Sequence, residues 1–179
     1  VPPVSRYCTS SVNVAAVTAS IVTPASNPGV SLDPASGIVS VAPGTPAGNY
    51  TITYEICENL NPANCDQAVV TVPVNPGTIV ADDDSVFSII GMTGGANVLD
   101  VIPGDTLNGN PATLGGTGNV SMTVVTPASP INGGPVPTLD PATGLVTVPP
   151  MTPSGAYTIT YQICENLNPT NCDQGVATI

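Results

Sequence analysis

The strongest pattern along the chain has a period of two. Tyr157, Ile159, Tyr161 and Ile163 fall on one face of an extended segment, and Thr158, Thr160 and Gln162 on the other. That alternation predicts a β-strand with one side buried. Shorter runs rich in Val, Ile and Thr, punctuated by Gly and Pro, continue the pattern in both directions. Over residues 79–179 they place strands near 79–90, 98–102, 120–126, 136–139, 145–148, 157–164 and 172–179. No run has the length or the period of a helix.

A second, longer period organises the first. Leu32-Asp33-Pro34-Ala35-Ser36-Gly37-Ile38-Val39 returns as Leu139-Asp140-Pro141-Ala142-Thr143-Gly144-Leu145-Val146, an offset of 107 positions. Tyr50-Thr51-Ile52-Thr53-Tyr54 and Cys57-Glu58-Asn59-Leu60-Asn61-Pro62 return at the same offset. Thr23-Pro24-Ala25-Ser26 returns at an offset of 103, so four residues are inserted between the blocks. A period of this length means tandem domains. The boundary is expected at Pro73-Val74-Asn75-Pro76-Gly77, giving units over 1–75 and 76–179. Seven short strands in the roughly 100 residues of the second unit is the count of an immunoglobulin-like β-sandwich, so the fold class is all-β. Tyr157 and Tyr50, each at the head of its strand, predict tyrosine corners. Residues 1–16 do not match the segment around Asn97-Val98-Leu99-Asp100-Val101. The first unit is therefore expected to have an atypical or incomplete initial strand, and the last strand of the second unit to be truncated. On that reading the chain is cut from a longer array, or is a subunit completed by a neighbour's strand.

The run L-D-P-A-[ST]-G-[IL]-V followed by P-[AS]-G-x-Y-T-I-T-Y resembles the Ig-like and cadherin-like repeats of bacterial surface adhesins. With the C-E-N-L-N-P-x-N-C-D-Q block and the Ala81-Asp82-Asp83-Asp84-Ser85 opening, it is similar to the tandem repeats of giant secreted adhesins of gliding Bacteroidetes (SprB-like). The resemblance covers nearly all of the second unit and the first from about residue 17. It implies two tandem cadherin-like sandwiches, an extracellular place on the bacterial surface, and a part in adhesion or gliding motility.

Five cysteines qualify the picture: Cys8, Cys57, Cys65, Cys164 and Cys172. Each unit carries a C-x7-C pair across the turn between its last two strands. Cys57 shares the parity of Thr51 and Thr53, so it is expected to face outward, and disulfides Cys57–Cys65 and Cys164–Cys172 would staple the two hairpins. Closing such a nine-residue ring is worth about 2.5 kcal/mol. A zinc site is the other option, but two thiols with no His fall short of four ligands. Disulfides imply an oxidising compartment. The start, Val1-Pro2-Pro3-Val4, has no basic segment followed by an apolar one, so no signal peptide is expected and a processed or excised piece of an exported protein is. Cys8 is left without an assigned partner.

Charge then narrows the chemistry. Twelve acidic side chains stand against one basic residue, Arg6, for a net charge of −11, and there is no His, Lys or Trp. Without His and Lys there is no Ser-His or Cys-His pair, no Schiff base and no P-loop clamp. The chain is not expected to be an enzyme. A −11 chain with one Arg repels nucleic acid and anionic lipid, and no segment is long enough to insert in a membrane. In a sandwich, the second unit's carboxylates are expected at one pole. The cadherin-like resemblance implies calcium there, held by Asp82, Asp83, Asp84 and Asp105 with Glu165 as a further ligand. The other reading is that these acids are solvated turn residues that keep the surface soluble. Asp84-Ser85-Val86 and Asp105-Thr106-Leu107 resemble the Asp-[Ser/Thr]-aliphatic O-glycosylation pattern of Bacteroidetes, at Ser85 and Thr106.

The function these readings favour is a stiff, disulfide-stapled stalk segment of a bacterial cell-surface adhesin or filament. Its partners would be neighbouring repeats or subunits of the same protein. Two rivals stand beside it. One is a pilus-like subunit assembling by strand exchange. The other is a carbohydrate-binding module that meets surface polysaccharide through the Asn-rich loops 59–64 and 166–171.

Overall fold

A computed structural model of the chain describes residues 16–179, and Arg6 and Cys8 lie outside them. The described residues form strands and turns, with no helix. They divide into two compact units between Asn75 and Pro76.

The first unit contains β1 (Val17–Thr23), β2 (Val30–Asp33), β3 (Ile38–Val41), β4 (Gly48–Glu58) and β5 (Cys65–Val74). One sheet has the order β1–β4–β5 and the other is the pair β2–β3. Alternation along β4 turns Tyr50 and Ile52 inward, where they pack with Val30 and Leu32 of β2. The repeated L-D-P-A-[ST]-G motif is the turn between β2 and β3. Asp33 accepts from the Ala35 N–H and from the Ser36 hydroxyl, and Gly37 closes the turn at φ 74°. Only a residue at ease in the left-handed region suits that position. Asp140, Ala142, Thr143 and Gly144 repeat the same turn.

The second unit contains β6 (Ile79–Val80), β7 (Asp84–Ser85), β8 (Gly95–Asp100), β9 (Thr106–Leu107), β10 (Asn110–Pro111), β11 (Val120–Thr126), β12 (Thr138–Asp140), β13 (Leu145–Val148), β14 (Thr158–Glu165) and β15 (Cys172–Thr178). The sheets run β11–β14–β15–β7 and β12–β13–β8, with a small β10–β9–β6 ribbon. Between the sheets, Ile159, Tyr161 and Ile163 of β14 pack with Val146 of β13, Val101 and Val120, all essentially without solvent exposure. Burying each large apolar side chain contributes roughly 1.5–3 kcal/mol, so β14 anchors the unit. Both units are all-β sandwiches of the immunoglobulin-like and cadherin-like kind. Both tyrosine corners form: Tyr50 donates to the Pro46 carbonyl and Tyr157 to that of Pro153, each at 2.8 Å.

The expected single strand over 79–90 is broken in two. β6 pairs antiparallel with β9, whereas β7 lies parallel to β15. Side chains do the work of a ladder at the break. Asp173 accepts from the Ala81 N–H and Asp83 from the Val176 N–H, both at 2.9 Å. The expected 136–139 strand begins instead at Thr138, after Pro137, which has no N–H to give a ladder.

Candidate functional site

The chemistry-bearing groups gather around one phenol. Tyr161 points inward from the middle of β14 and is fully buried, where a hydroxyl needs a partner. Five oxygens surround it: the carbonyls of Asp82 (2.8 Å) and Val101 (3.1 Å), Asp84 Oδ2 (3.1 Å), and Asp105 Oδ1 and Oδ2 (3.3 and 3.4 Å). Asp105 is 1% exposed and also accepts from the Asp82 N–H at 2.8 Å. The ring can lie across β15 because residue 175 is Gly, where an added Cβ would come within 2.6 Å of the phenol and 2.7 Å of the Asp82 carbonyl.

One hydroxyl carries one proton, so five acceptors leave the cluster with surplus lone pairs. The titration of the carboxyls follows. Burial, with the charge of Asp84 adding to it, pushes Asp105 up to about 6 even though the Asp82 N–H works against the shift. Asp84 is also raised, first by burial and then by Asp82, Asp100 and Asp83. Burial and the two carboxylates raise Tyr161 as well, so the phenol keeps its proton. The group is a proton-holding cross-tie between β14, the β6–β7 bend and the segment after β8.

The carboxylates of Asp84 and Asp105 are therefore brought together with the backbone of Asp82, whose residue is exposed, and Asp83 and Glu165 are not among them. Asp83 holds the Val176 N–H at the β15 edge. Glu165 accepts from the Gly77 N–H and from Asn171. Burial pushes its carboxyl up, but the hydrogen bonds from Asn168, Asn171 and Gly77 outweigh it and hold the group below the usual range. Hard oxygens suit calcium by type. In this arrangement the Asp82 and Val101 carbonyls and the carboxylates of Asp84 and Asp105 converge on the phenol oxygen. Among the described residues, the group whose ligand atoms all lie within 4.8 Å is Glu55, Cys57 and Cys65, and those two thiols are joined to each other.

Both staples form. Cys57–Cys65 and Cys164–Cys172 are directly opposed across their hairpins, with Cα atoms 4.1 Å apart, near the closer of the two antiparallel spacings. The Asn-rich loops are tied internally. Asn61 and Asn64 donate to Glu58 at 2.9 and 3.1 Å, and Asn171 donates to Glu165 at 2.8 Å and to the Gly77 carbonyl. Of the two positions matching the glycosylation pattern, Ser85 is exposed on β7 and Thr106 half-buried on β9.

No family model matches the chain, and no curated protein does. Solved structures similar to it are cadherin repeats. Human CDH23 EC21-23 is 17% identical over 94% of this chain and 64% of that one, with a TM-score of 0.40. Protocadherin Gamma B2 extracellular cadherin domains 3-6 is 16% identical over 90% and 42%, at 0.38. Mouse Cadherin-23 EC22-24 is 16% identical over 90% and 50%, at 0.35. The chain spans less than two thirds of each. At such identities and scores the fold assignment rests on strand order and pairing. Among the described residues no helix is long and apolar enough to cross a membrane.

Proposed function

We propose that the chain is a structural repeat segment of an extracellular bacterial cell-surface adhesin or filament, of the kind that serves gliding Bacteroidetes. It acts as a disulfide-stapled spacer whose partners are neighbouring repeats of the same protein. The observation that carries this reading is the identical staple in both units, set at the same register between the last two strands. A short closed ring stabilises chiefly by restricting the unfolded chain, and it persists only where thiols are oxidised. Sequence chemistry leans the same way: with no His and no Lys, the chain lacks the Ser-His, Cys-His and Lys-based nucleophile arrangements.

A spacer must keep its fold under load. Single-molecule pulling of the full chain is expected to give two resolved unfolding events. Adding reductant should lengthen each by roughly eight residues at about 3.5 Å apiece, as the stapled loops are released. Unfolding without resolved resistance, oxidised or reduced, would sink the proposal.

A further inference from the structure

The four residues inserted between the repeated blocks have no counterpart in the first unit. Ser26 to Leu32 corresponds to Ser129 to Leu139, and the longer version contains Ile131-Asn132-Gly133-Gly134. This segment forms a tight turn in which the Gly134 N–H donates to the Ile131 carbonyl at 3.0 Å. Its central residues, Asn132 and Gly133, have φ of 50° and 70°, the left-handed pair of a type I′ turn. The turn is seated on the tyrosine corner. A Cβ added to Gly134 would run into Pro153, and one added to Gly155 into Ile131.

Asn-Gly is a reactive pair. The Gly133 nitrogen can close a five-membered ring on the Asn132 side chain, and glycine has no side chain to shield it. In that reaction Gly133 N gives its proton to hydroxide or water and attacks Asn132 Cγ. The N–Cγ bond forms, the Cγ–Nδ2 bond breaks and ammonia leaves. Water then opens the succinimide at either carbonyl, giving aspartate or isoaspartate, with no change of oxidation state. In a folded chain the rate depends on whether the amide is free to turn toward the next nitrogen.

The chain has one other Asn-Gly pair, which supplies an internal comparison. Asn108-Gly109, between β9 and β10, has the same backbone, with φ of 54° and 72°. There the side chain is held. Asn108 Oδ1 accepts from the Thr78 N–H at 2.9 Å, and the Asn108 N–H donates to the Thr78 carbonyl at 2.7 Å. A Cβ added to Gly77 would lie 2.9 Å from Asn108 Nδ2, so the amide is packed on that side as well. Asn132 and Gly133 are both exposed, and no described residue hydrogen-bonds the Asn132 amide. A Cβ built on Gly133 meets nothing within 4 Å. At the corresponding turn of the first unit, Asn27 precedes Pro28, which has no N–H to lose.

We infer that Asn132-Gly133 is a self-modification site, which water converts to aspartyl and isoaspartyl forms, and that Asn108-Gly109 is protected by its contacts with Gly77 and Thr78. Conversion places a carboxylate between Asp105 and Asp140, a stretch with no charged residue. The isoaspartyl form also adds a backbone atom to a turn packed on Pro153, whose carbonyl accepts from the Tyr157 hydroxyl. The extent of conversion therefore records the age of the chain. The inference stands whether or not the protein is a spacer.

The test is timed incubation of the full oxidised chain in warm neutral buffer, folded and in denaturant. Peptide mapping with fragmentation that separates aspartate from isoaspartate reads each site. In denaturant the two pairs are expected to convert at similar rates. In the folded chain Asn132 should keep its denatured rate to within a few-fold, and Asn108 should slow by about tenfold or more, because it must first be released from Thr78. Ion exchange should show a more acidic form growing in with the same time course. Asn132→Gln, at an exposed position and unable to close the five-membered ring, should abolish that form. An Asn132 no faster than Asn108 in the folded chain would overturn the inference. So would an acidic form that grows in undiminished in Asn132→Gln, since the conversion would then lie elsewhere.

Discussion

Tyr54 and Tyr161 occupy the same place in two copies of one motif, T-I-T-Y, and have different surroundings. Tyr161 is sealed under Val101, Asp105 and the β6–β7 bend, whereas Tyr54 lines an open groove. A strand's own alternation therefore decides only which face turns inward. Whether that face becomes a core depends on a second layer recruited from elsewhere in the chain. Burial, not motif identity, sets the stability of each unit, and the largest differences between them should appear where burial differs most.

Ile163 and Ile56 give the sharpest contrast, being fully buried and half-buried at equivalent positions. Ile163→Ala is expected to destabilise the second unit by about 3–4 kcal/mol through lost transfer energy plus a cavity. Ile56→Ala should cost the first unit about 1 kcal/mol, because its side chain has less packing to lose. Calorimetry of the two transitions measures both. Equal losses would show that the groove beside Tyr54 is covered in solution.

The disulfides are where the comparison should vanish. Both rings close the same number of residues, so the entropy removed from the unfolded chain is the same. Replacing Cys57 and Cys65 by Ala, or Cys164 and Cys172, is expected to cost either unit about 2.5 kcal/mol in denaturant titrations. A clearly unequal cost would mean that one hairpin keeps residual structure when unfolded.

How much of this was legible in the sequence follows from which interactions are local. Strands β11 to β15, the Asp33 and Asp140 turns, the tyrosine corners and both staples depend on neighbours within a few residues or on a repeated motif. All of them could be read. The β9–β10 hairpin could have been: Asn108-Gly109, with φ of 54° and 72°, is a strong two-residue turn signal. The break between β6 and β7 could not. It depends on Asp173 and Val176, more than ninety positions away, exchanging hydrogen bonds with Ala81 and Asp83. The candidate site was half legible. The acids were visible as a cluster, but the alternation in β14 marks Tyr161 only as core, and nothing local shows its hydroxyl meeting Asp105. Asp83 and Glu165 look like the other acids until the backbone N–H groups they hold are located.

Acidification should separate the units next, by a smaller amount. A raised carboxyl binds more protons folded than unfolded, so its stabilising contribution is complete below the unfolded pKa and is lost as pH rises through the folded one. With Asp105 at about 6 when folded and 3.8 as its ordinary value, lowering pH from 7 to 5 should stabilise the second unit by roughly 1 kcal/mol. The upward shift of Asp84 acts in the same direction. The first unit has no such pair among its described residues. Its Asp33 and Glu58 are held low by hydrogen bonds from Ser36 and from Asn61 and Asn64, which is the opposite sign. Asp105→Asn should flatten the second unit's response while keeping an acceptor for the Asp82 N–H. A pH response that persists in that variant would assign it to another group.

Calcium should produce the smallest effect. A cation bound to the folded state alone must raise the transition temperature in proportion to the logarithm of its concentration. To enter, it would have to displace the Tyr161 hydroxyl from five oxygens, two of them on the buried Asp105. Desolvating the ion and unpacking a core tyrosine both oppose that exchange. Melts of the full chain in calcium and in chelator are therefore expected to coincide in both units. A rise confined to the second unit would show that the phenol yields its place, and that the acids at this bend are ligands before they are a hydrogen-bonded tie. Tyr161→Phe sharpens the result, since it removes the hydroxyl without adding a charge. If calcium stabilises that variant and not the parent, the phenol is the group that keeps the ion out.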